Sequence, residues 1–257
     1  EPAVGYGGGL FGLFLHGKGH QVEGRFIPPA LSAFGGGGTQ NGTWFVGGGH
    51  RHTWQDDRIR YLVAGGYANI NLDIYSGDVA GFGNNKAINT ETRGYGGMQR
   101  LQFRVGDSPV LLGVSQFWAS MDISAPNNPL VDRAWKRLLG ENSTSSALGV
   151  IAEYDSTDNF FWPQRGVSLT GQYQFYGHTF GGDYRYDMLT LDGKIFLPLN
   201  PTWTLSLATN YQSLSHKDVH LPPMASPYIQ LRGISRYRYQ GDCLLYTSDA
   251  ADDMQCV

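Results

Sequence analysis

From Val167 to Phe175 the chain alternates without error: Val167, Leu169, Gly171, Tyr173 and Phe175 take the odd positions, and Ser168, Thr170, Gln172 and Gln174 the even ones. Successive side chains of a strand point to opposite faces, so a strand here has one apolar, aromatic face and one neutral, polar face. The same split recurs with Trp203, Leu205, Leu207 and Tyr211 against Thr204, Ser206, Asn210 and Gln212. Between them, Leu189, Leu191, Ile195 and Leu197 oppose Thr190, Asp192 and Lys194. A soluble sandwich alternates too. The strands, however, run to roughly nine to eleven residues, carry aromatics near their ends and keep one polar face from strand to strand. That combination favours an all-β, antiparallel transmembrane β-barrel, with lipid outside and a wet lumen.

Composition fits this reading. The chain has 257 residues, 36 of them glycine, with 13% aromatic and only 16% charged residues. Mean hydropathy is slightly negative at −0.30, which excludes a helical membrane protein but not a barrel, because half of a barrel's strand residues face water. There is no apolar run of the length that a membrane helix needs. No basic block marks a nucleic-acid partner.

The ends need separate treatment. Residue 1 is Glu, with neither a charged n-region nor an apolar h-region after it, so any export signal is expected upstream. The stretch Cys243-Leu244-Leu245-Tyr246-Thr247-Ser248-Asp249-Ala250-Ala251-Asp252 resembles the translation of a transposon-derived sequencing adapter. Residues 243–257 are therefore read as an artefact, and 1–242 as a partial outer-membrane β-barrel domain. Setting the tail aside removes both cysteines and three aspartates, so acidic residues fall from 22 to 19, equal to the 19 basic ones. No disulfide, thiolate site or electrostatic partner is then implied.

About ten strands are expected, near 4–15, 31–40, 43–54, 58–75, 89–105, 109–123, 146–156, 166–177, 184–198 and 202–214. Gln40-Asn41-Gly42, Gly106-Asp107-Ser108-Pro109 and Leu199-Asn200-Pro201 have turn chemistry. The links 16–30, 76–88 and 124–145 are long. Outer-membrane barrels put short turns on the periplasmic side and long loops outside, which assigns 106–109, 157–165 and 199–201 to the short side. Keeping this phase places the long 16–30 link there as well, so the strand count before residue 58 stays open. Glycine clusters at 7–9, 35–38 and 47–49 lack the Gly-Lys-Ser/Thr of a phosphate loop, and suit a strongly bent wall or close contact with a plug. Residues 129–140 have the character of a short helix in an external loop.

Two motifs carry a family resemblance. Tyr154-Asp155-Ser156-Thr157-Asp158-Asn159-Phe160-Phe161-Trp162-Pro163-Gln164-Arg165-Gly166 is a turn in which Asp155 and Asp158 cap the chain, Pro163 fixes φ and Gly166 allows re-entry into the next strand. Leu231-Arg232-Gly233-Ile234 follows about seventy residues later, after three alternating strands. Together they resemble the BamA/TamA superfamily of outer-membrane assembly barrels, also called bacterial surface antigens. Glu1-Pro2-Ala3-Val4-Gly5-Tyr6-Gly7-Gly8-Gly9 is similar to the start of the barrel in the shorter members.

The resemblance implies a barrel, incomplete here for want of its closing strands, that assists insertion or passage of proteins at the outer membrane of a Gram-negative-type bacterium. It implies outer-membrane lipid and unfolded outer-membrane or secreted proteins as partners, and no cofactor. The Arg232 loop would fold back into the lumen, where its guanidinium needs acidic company; Glu153 and Asp155 are the candidates within this sequence. The alternative is a passive pore or an orphan structural barrel. An enzyme is not expected. His50 and His52 share a strand face without a third ligand nearby, and Ser213, Ser215 and His216 lack a nucleophile elbow.

Overall fold

The computed structural model describes residues 5–22, 25–75, 87–139, 142–200, 202–216, 218, 221, 225–228 and 241–249. Strand β1 (Gly7–His16) leads into a short pair, β2 (His20–Val22) and β3 (Arg25–Ile27). The wall continues with β4 (Ala30–Thr39), β5 (Trp44–Trp54), β6 (Ile59–Tyr75), β7 (Ala87–Arg104) and β8 (Val110–Ser124). After helix α1 (Pro129–Leu139) come β9 (Ser143–Asp155), β10 (Gly166–Tyr176), β11 (Tyr186–Pro198), β12 (Thr204–His216) and β13 (Cys243–Asp249). One eleven-stranded sheet has the order β1-β4-β5-β6-β7-β8-β9-β10-β11-β12-β13, and β2-β3 form a separate hairpin. Every neighbouring pair in the large sheet is antiparallel, as in a meander. Among the described residues, β1 and β13 have a strand neighbour on one side only.

All ten expected strands are present. The turn phase also holds back to the N-terminus: the link between β1 and β4 lies at the short-turn end, and the β2–β3 hairpin occupies it. Among the described residues no further wall strand lies there. The sequence reading differs at the other end of the chain, where Cys243–Asp249 pair with β12. An unpaired strand edge offers N–H and C=O groups to any extended segment beside it, so this pairing follows from backbone chemistry and needs little from the side chains.

Register assigns the two faces. In β10 to β12, Leu169, Phe175, Leu191, Leu197 and Leu207 are exposed on the outer face. Thr170, Gln172, Thr190, Asp192, Asn210 and Gln212 line the other. Here Asn210 Nδ2 donates to Asp192 Oδ1 at 2.5 Å, and Gln212 Nε2 to Asn210 Oδ1 at 2.9 Å. On the outer face of β5 to β8 an aromatic row crosses the strands. Trp44 stacks on Tyr67 at 5.3 Å, Tyr67 on Tyr95 at 6.4 Å, and Tyr95 meets Trp118 at 5.2 Å. Trp54 ends β5 at the short-turn end. Ten residue steps separate Trp44 from Trp54, roughly 34 Å of strand, or about 24 Å across a bilayer at a 45° tilt. The two tryptophans thus match the two aromatic girdles of a membrane barrel.

The sheet is strongly curled, and the glycines allow it. Gly35, Gly47, Gly66 and Gly96 pair in succession across β4 to β7, followed by Ala119 on β8, so the inner face there has almost no side chains. Helix α1 begins with Pro129, as suits a first helical turn. Asp132 is its acidic anchor, accepting from Ala125 N at 3.1 Å and pairing with Lys136 at 3.1 Å. No helix of the described residues is long and apolar enough to cross a membrane.

Candidate functional site: the short-turn mouth of the lumen

Four residues at the end of β5 make an unusual turn. Gln55, Asp56 and Asp57 have φ of 51°, 54° and 69°, all in the left-handed region. Each non-glycine residue held there costs about 1–2 kcal/mol, so the surroundings must over-determine the turn. They do so through Asp57, whose side chain is 9% exposed. Its carboxylate accepts from Arg60 Nε at 2.6 Å and Arg60 Nη2 at 2.5 Å, and from Arg104 Nη2. Arg104 also donates to the Asp57 and Ser108 carbonyls, both at 3.1 Å. The turn therefore aims a carboxylate inward, between two arginines. Burial opposes the charge on Asp57, but the hydrogen bonds and charges of Arg60 and Arg104 outweigh it and hold its carboxyl below the usual range.

Arg60 joins distant parts of the wall. Its Nη1 donates to Glu153 Oε1 at 2.6 Å and its Nη2 to Asp155 Oδ2 at 2.9 Å. Strands β6 and β9 are three steps apart, about 14 Å in a flat sheet. Contact across that gap requires the wall to close upon its polar face, and so marks that face as the lumen. Gln102 Nε2 adds a bond to Glu153 Oε2 at 2.8 Å. Gly113 is the register partner of Gln102 on β8, and a Cβ there would lie 2.1 Å from the Leu101 carbonyl oxygen. Higher in the lumen, Arg100 Nη2 donates to Gln172 Oε1 at 3.0 Å, and Gln172 Nε2 to Ser115 Oγ at 2.9 Å. Three arginines, Arg51, Arg60 and Arg104, thus stand with three acids, Asp57, Glu153 and Asp155. A buried arrangement of this kind persists only when its charges balance and its hydrogen bonds are made.

The turn after β9 completes the mouth. Asp155 Oδ1 accepts from Thr157 N at 3.1 Å and Thr157 Oγ1 at 2.6 Å, while its other oxygen holds Arg60. Asp158 Oδ1 accepts from Gln164 N at 3.0 Å and Arg165 N at 3.3 Å. Gly166 has φ +115°, and a Cβ there would meet Ser156 O at 2.4 Å. Pro163 lies inside this loop, and Tyr154 is exposed on the outer face of β9. The loop folds inward, so that the Arg51 guanidinium lies 4.3 Å from the Phe160 ring centre.

The candidate residues of the sequence fall into three groups. Leu231, Arg232, Gly233 and Ile234 lie outside the described residues. Glu153 and Asp155 do face the lumen, but both are engaged by Arg60. His50 and His52 stand on the outer face at the short-turn rim. His50 Nδ1 is 2.8 Å from Ser32 Oγ, which is also 2.8 Å from His16 Nε2, and His52 packs 4.3 Å from Trp54. Among the described residues no group of three or more His, Cys, Asp or Glu could hold a metal ion. Sequence reading overlooked Asp57, Arg60, Gln102 and Arg104. Their signal was charge and amide at inward-facing positions of strands otherwise rich in Gly, Ala and Leu.

Comparison with known proteins agrees with this architecture. The family model described as the Omp85 superfamily domain matches residues 67–226, more than half of the chain. No curated protein sequence matches. BamA from Haemophilus ducreyi lacking POTRA domains 1–3 superposes with a TM-score of 0.53 at 13% identity, over 88% of this chain and 44% of that one. The chain thus spans less than half of that solved structure, and the likeness is one of fold. OmpT of Vibrio cholerae, as a loop L8 deletion mutant, gives 0.46 at 13% identity, over 80% of this chain and 56% of that one.

Proposed function

Because the chain belongs to the Omp85 superfamily, whose model matches it from within β6 to beyond β12, we propose that it is barrel wall of an outer-membrane protein that helps insert or pass other proteins at that membrane. The family match is the observation that carries this reading. Its clients are unfolded outer-membrane or secreted proteins. The apolar outer face meets lipid, and no cofactor or catalytic group takes part.

Two structural features support the reading over a passive pore or an orphan structural barrel. On the lumen face, side chains from strands three apart in the sheet are bonded to one another, through Arg60 to Glu153 and Asp155 and through Arg100 to Gln172. Those bonded side chains narrow the lumen beside them, which suits a wide passive pore poorly. Beside these, β1 lies at the margin of the sheet among the described residues, with Leu10, Phe11, Leu13 and Phe14 exposed, where closing strands of the full-length protein would join it in a seam with an edge that can part. Such an edge can template an incoming strand by β-augmentation, with release sideways into lipid.

The test is a folding assay in vesicles. A small outer-membrane barrel, unfolded in urea, is diluted onto vesicles containing the full-length protein, and folding is followed by heat-modifiable gel mobility. Faster folding than on vesicles holding an unrelated porin is expected. Equal rates, together with sugar-driven swelling of the vesicles, would replace the assembly reading with the pore.

A further inference from the structure

The connection from β1 to β4 is the longest at the short-turn end among the described residues, and several of its residues are held against that end. Phe26 N donates to Asp158 O at 3.0 Å, and Phe26 forms a parallel bridge with Asn159. The Phe26 ring lies 6.5 Å from that of Phe161. His20 Nε2 is 2.9 Å from Asp56 Oδ1, and Ile27 is only 5% exposed. The ends of this segment are fixed to β1 and β4, at one margin of the sheet. Its contacts are with the β5–β6 turn and with the β9–β10 turn, five strands beyond β4 in the sheet order. A segment anchored at one side of a curled wall and docked on the other crosses the opening between them.

We propose that the β2–β3 hairpin is a releasable latch across this mouth of the lumen, closing it jointly with the inward-folded β9–β10 turn. Beneath the latch lies a cavity of about 20 Å³, with Phe26, Ile27, Arg51, Asp57, Arg60 and Asp155 among its walls; that is room for about one water. The attachment is nevertheless weak beside the wall it closes. Two three-residue strands are not stable alone, the His20–Asp56 pair is solvent-exposed and adds little, and among the described residues the backbone tie to the facing turn is confined to the Phe26 bridge. Local opening therefore costs far less than unfolding of a wall strand. Gly17, at φ +98°, supplies a flexible joint on the β1 side, whereas Pro28 and Pro29 stiffen the β4 side. Displacement of edge strand β1 would act on the latch through that joint.

Single-channel recording from the full-length protein in planar bilayers tests the latch, each variant first being shown to be folded by heat-modifiable mobility. Wild type should open for a minor fraction of the time, about 0.1–10%. In the double variant Phe26→Cys/Asn159→Cys, the two positions are parallel bridge partners, so their Cα atoms are one strand spacing apart, roughly 5 Å and inside disulfide range. Oxidation should abolish openings and reduction restore them. Replacing residues 18–27 by a flexible glycine-serine linker should make the open state predominant. If the oxidised and reduced double variants open equally, or if the folded linker variant stays closed, the latch is refuted. Should the linker variant fail to fold, the disulfide pair decides alone.

Discussion

Removing the Asp57 carboxylate would take from Arg104, whose side chain is 3% exposed, a buried ion-pair partner, and strip Arg60 of its closest. Breaking a buried pair in this way costs about 3–5 kcal/mol, most of it from the stranded charge. Asp57→Ala should therefore lower the urea midpoint of the folded barrel, read by heat-modifiable mobility, more than Asp107→Ala, which loses only an exposed pair with Arg58. The pH dependence has a definite sign. The folded-state pKa of Asp57 is depressed, so its contribution is complete above the unfolded value of about 3.9 and is lost as pH falls through the lower folded value. The difference between wild type and Asp57→Ala should stay constant above about pH 5 and shrink only below about pH 4. A difference that disappeared near neutral pH would contradict the pairing.

The β9–β10 turn was legible as an element but not as a contact. Its aspartates, proline and glycine announce a tight reversal, and Gly166 at φ +115° is the position where a side chain is least tolerable. Gly166→Ala should destabilise the barrel by about 1–3 kcal/mol, from a left-handed residue and a clash with Ser156 O. Because the same turn carries Phe160 to Arg51 and Asp158 O to Phe26 N, this variant should also expose residues 156–165 to protease before the wall unfolds. Cleavage at the wild-type rate would mean that the turn closes independently of its glycine. The hairpin facing it gave no sequence signal, because two three-residue strands are too short to show alternation.

At the level of the whole barrel, we propose that the Arg232 loop reaches the lumen and that residues 243–257 stand in place of the natural continuation. With Glu153 and Asp155 engaged by Arg60, Arg232 needs acidic partners from elsewhere in the full-length protein. In that protein, Arg232→Ala should weaken folding or client assembly while leaving the protein in the membrane; unchanged gel mobility with unchanged activity would remove the role. Long-read sequencing across codon 242 checks the tail. A frame that runs on unaltered to Val257 would make Cys243–Asp249 the barrel's own eleventh wall strand.

The sequence by itself determined the alternating strands of the wall and which of their faces is apolar, as Leu169 against Thr170 and Leu191 against Asp192 illustrate, while the strand count before residue 58 was decided by the fold. Alternation is a local property, since each side chain's face follows from its neighbours along one strand. Only the tertiary structure decided what fills the mouth. The Arg60 pairing with Glu153 spans 93 positions and Arg104 with Asp57 spans 47, and these contacts depend on how tightly the sheet curls. Curl is the accumulated result of many small twists and of glycines such as Gly47, Gly66 and Gly96, whose backbones approach closely. No single strand's sequence states that sum, so the charges that meet across the lumen, and the latch over them, emerged only when the wall was closed.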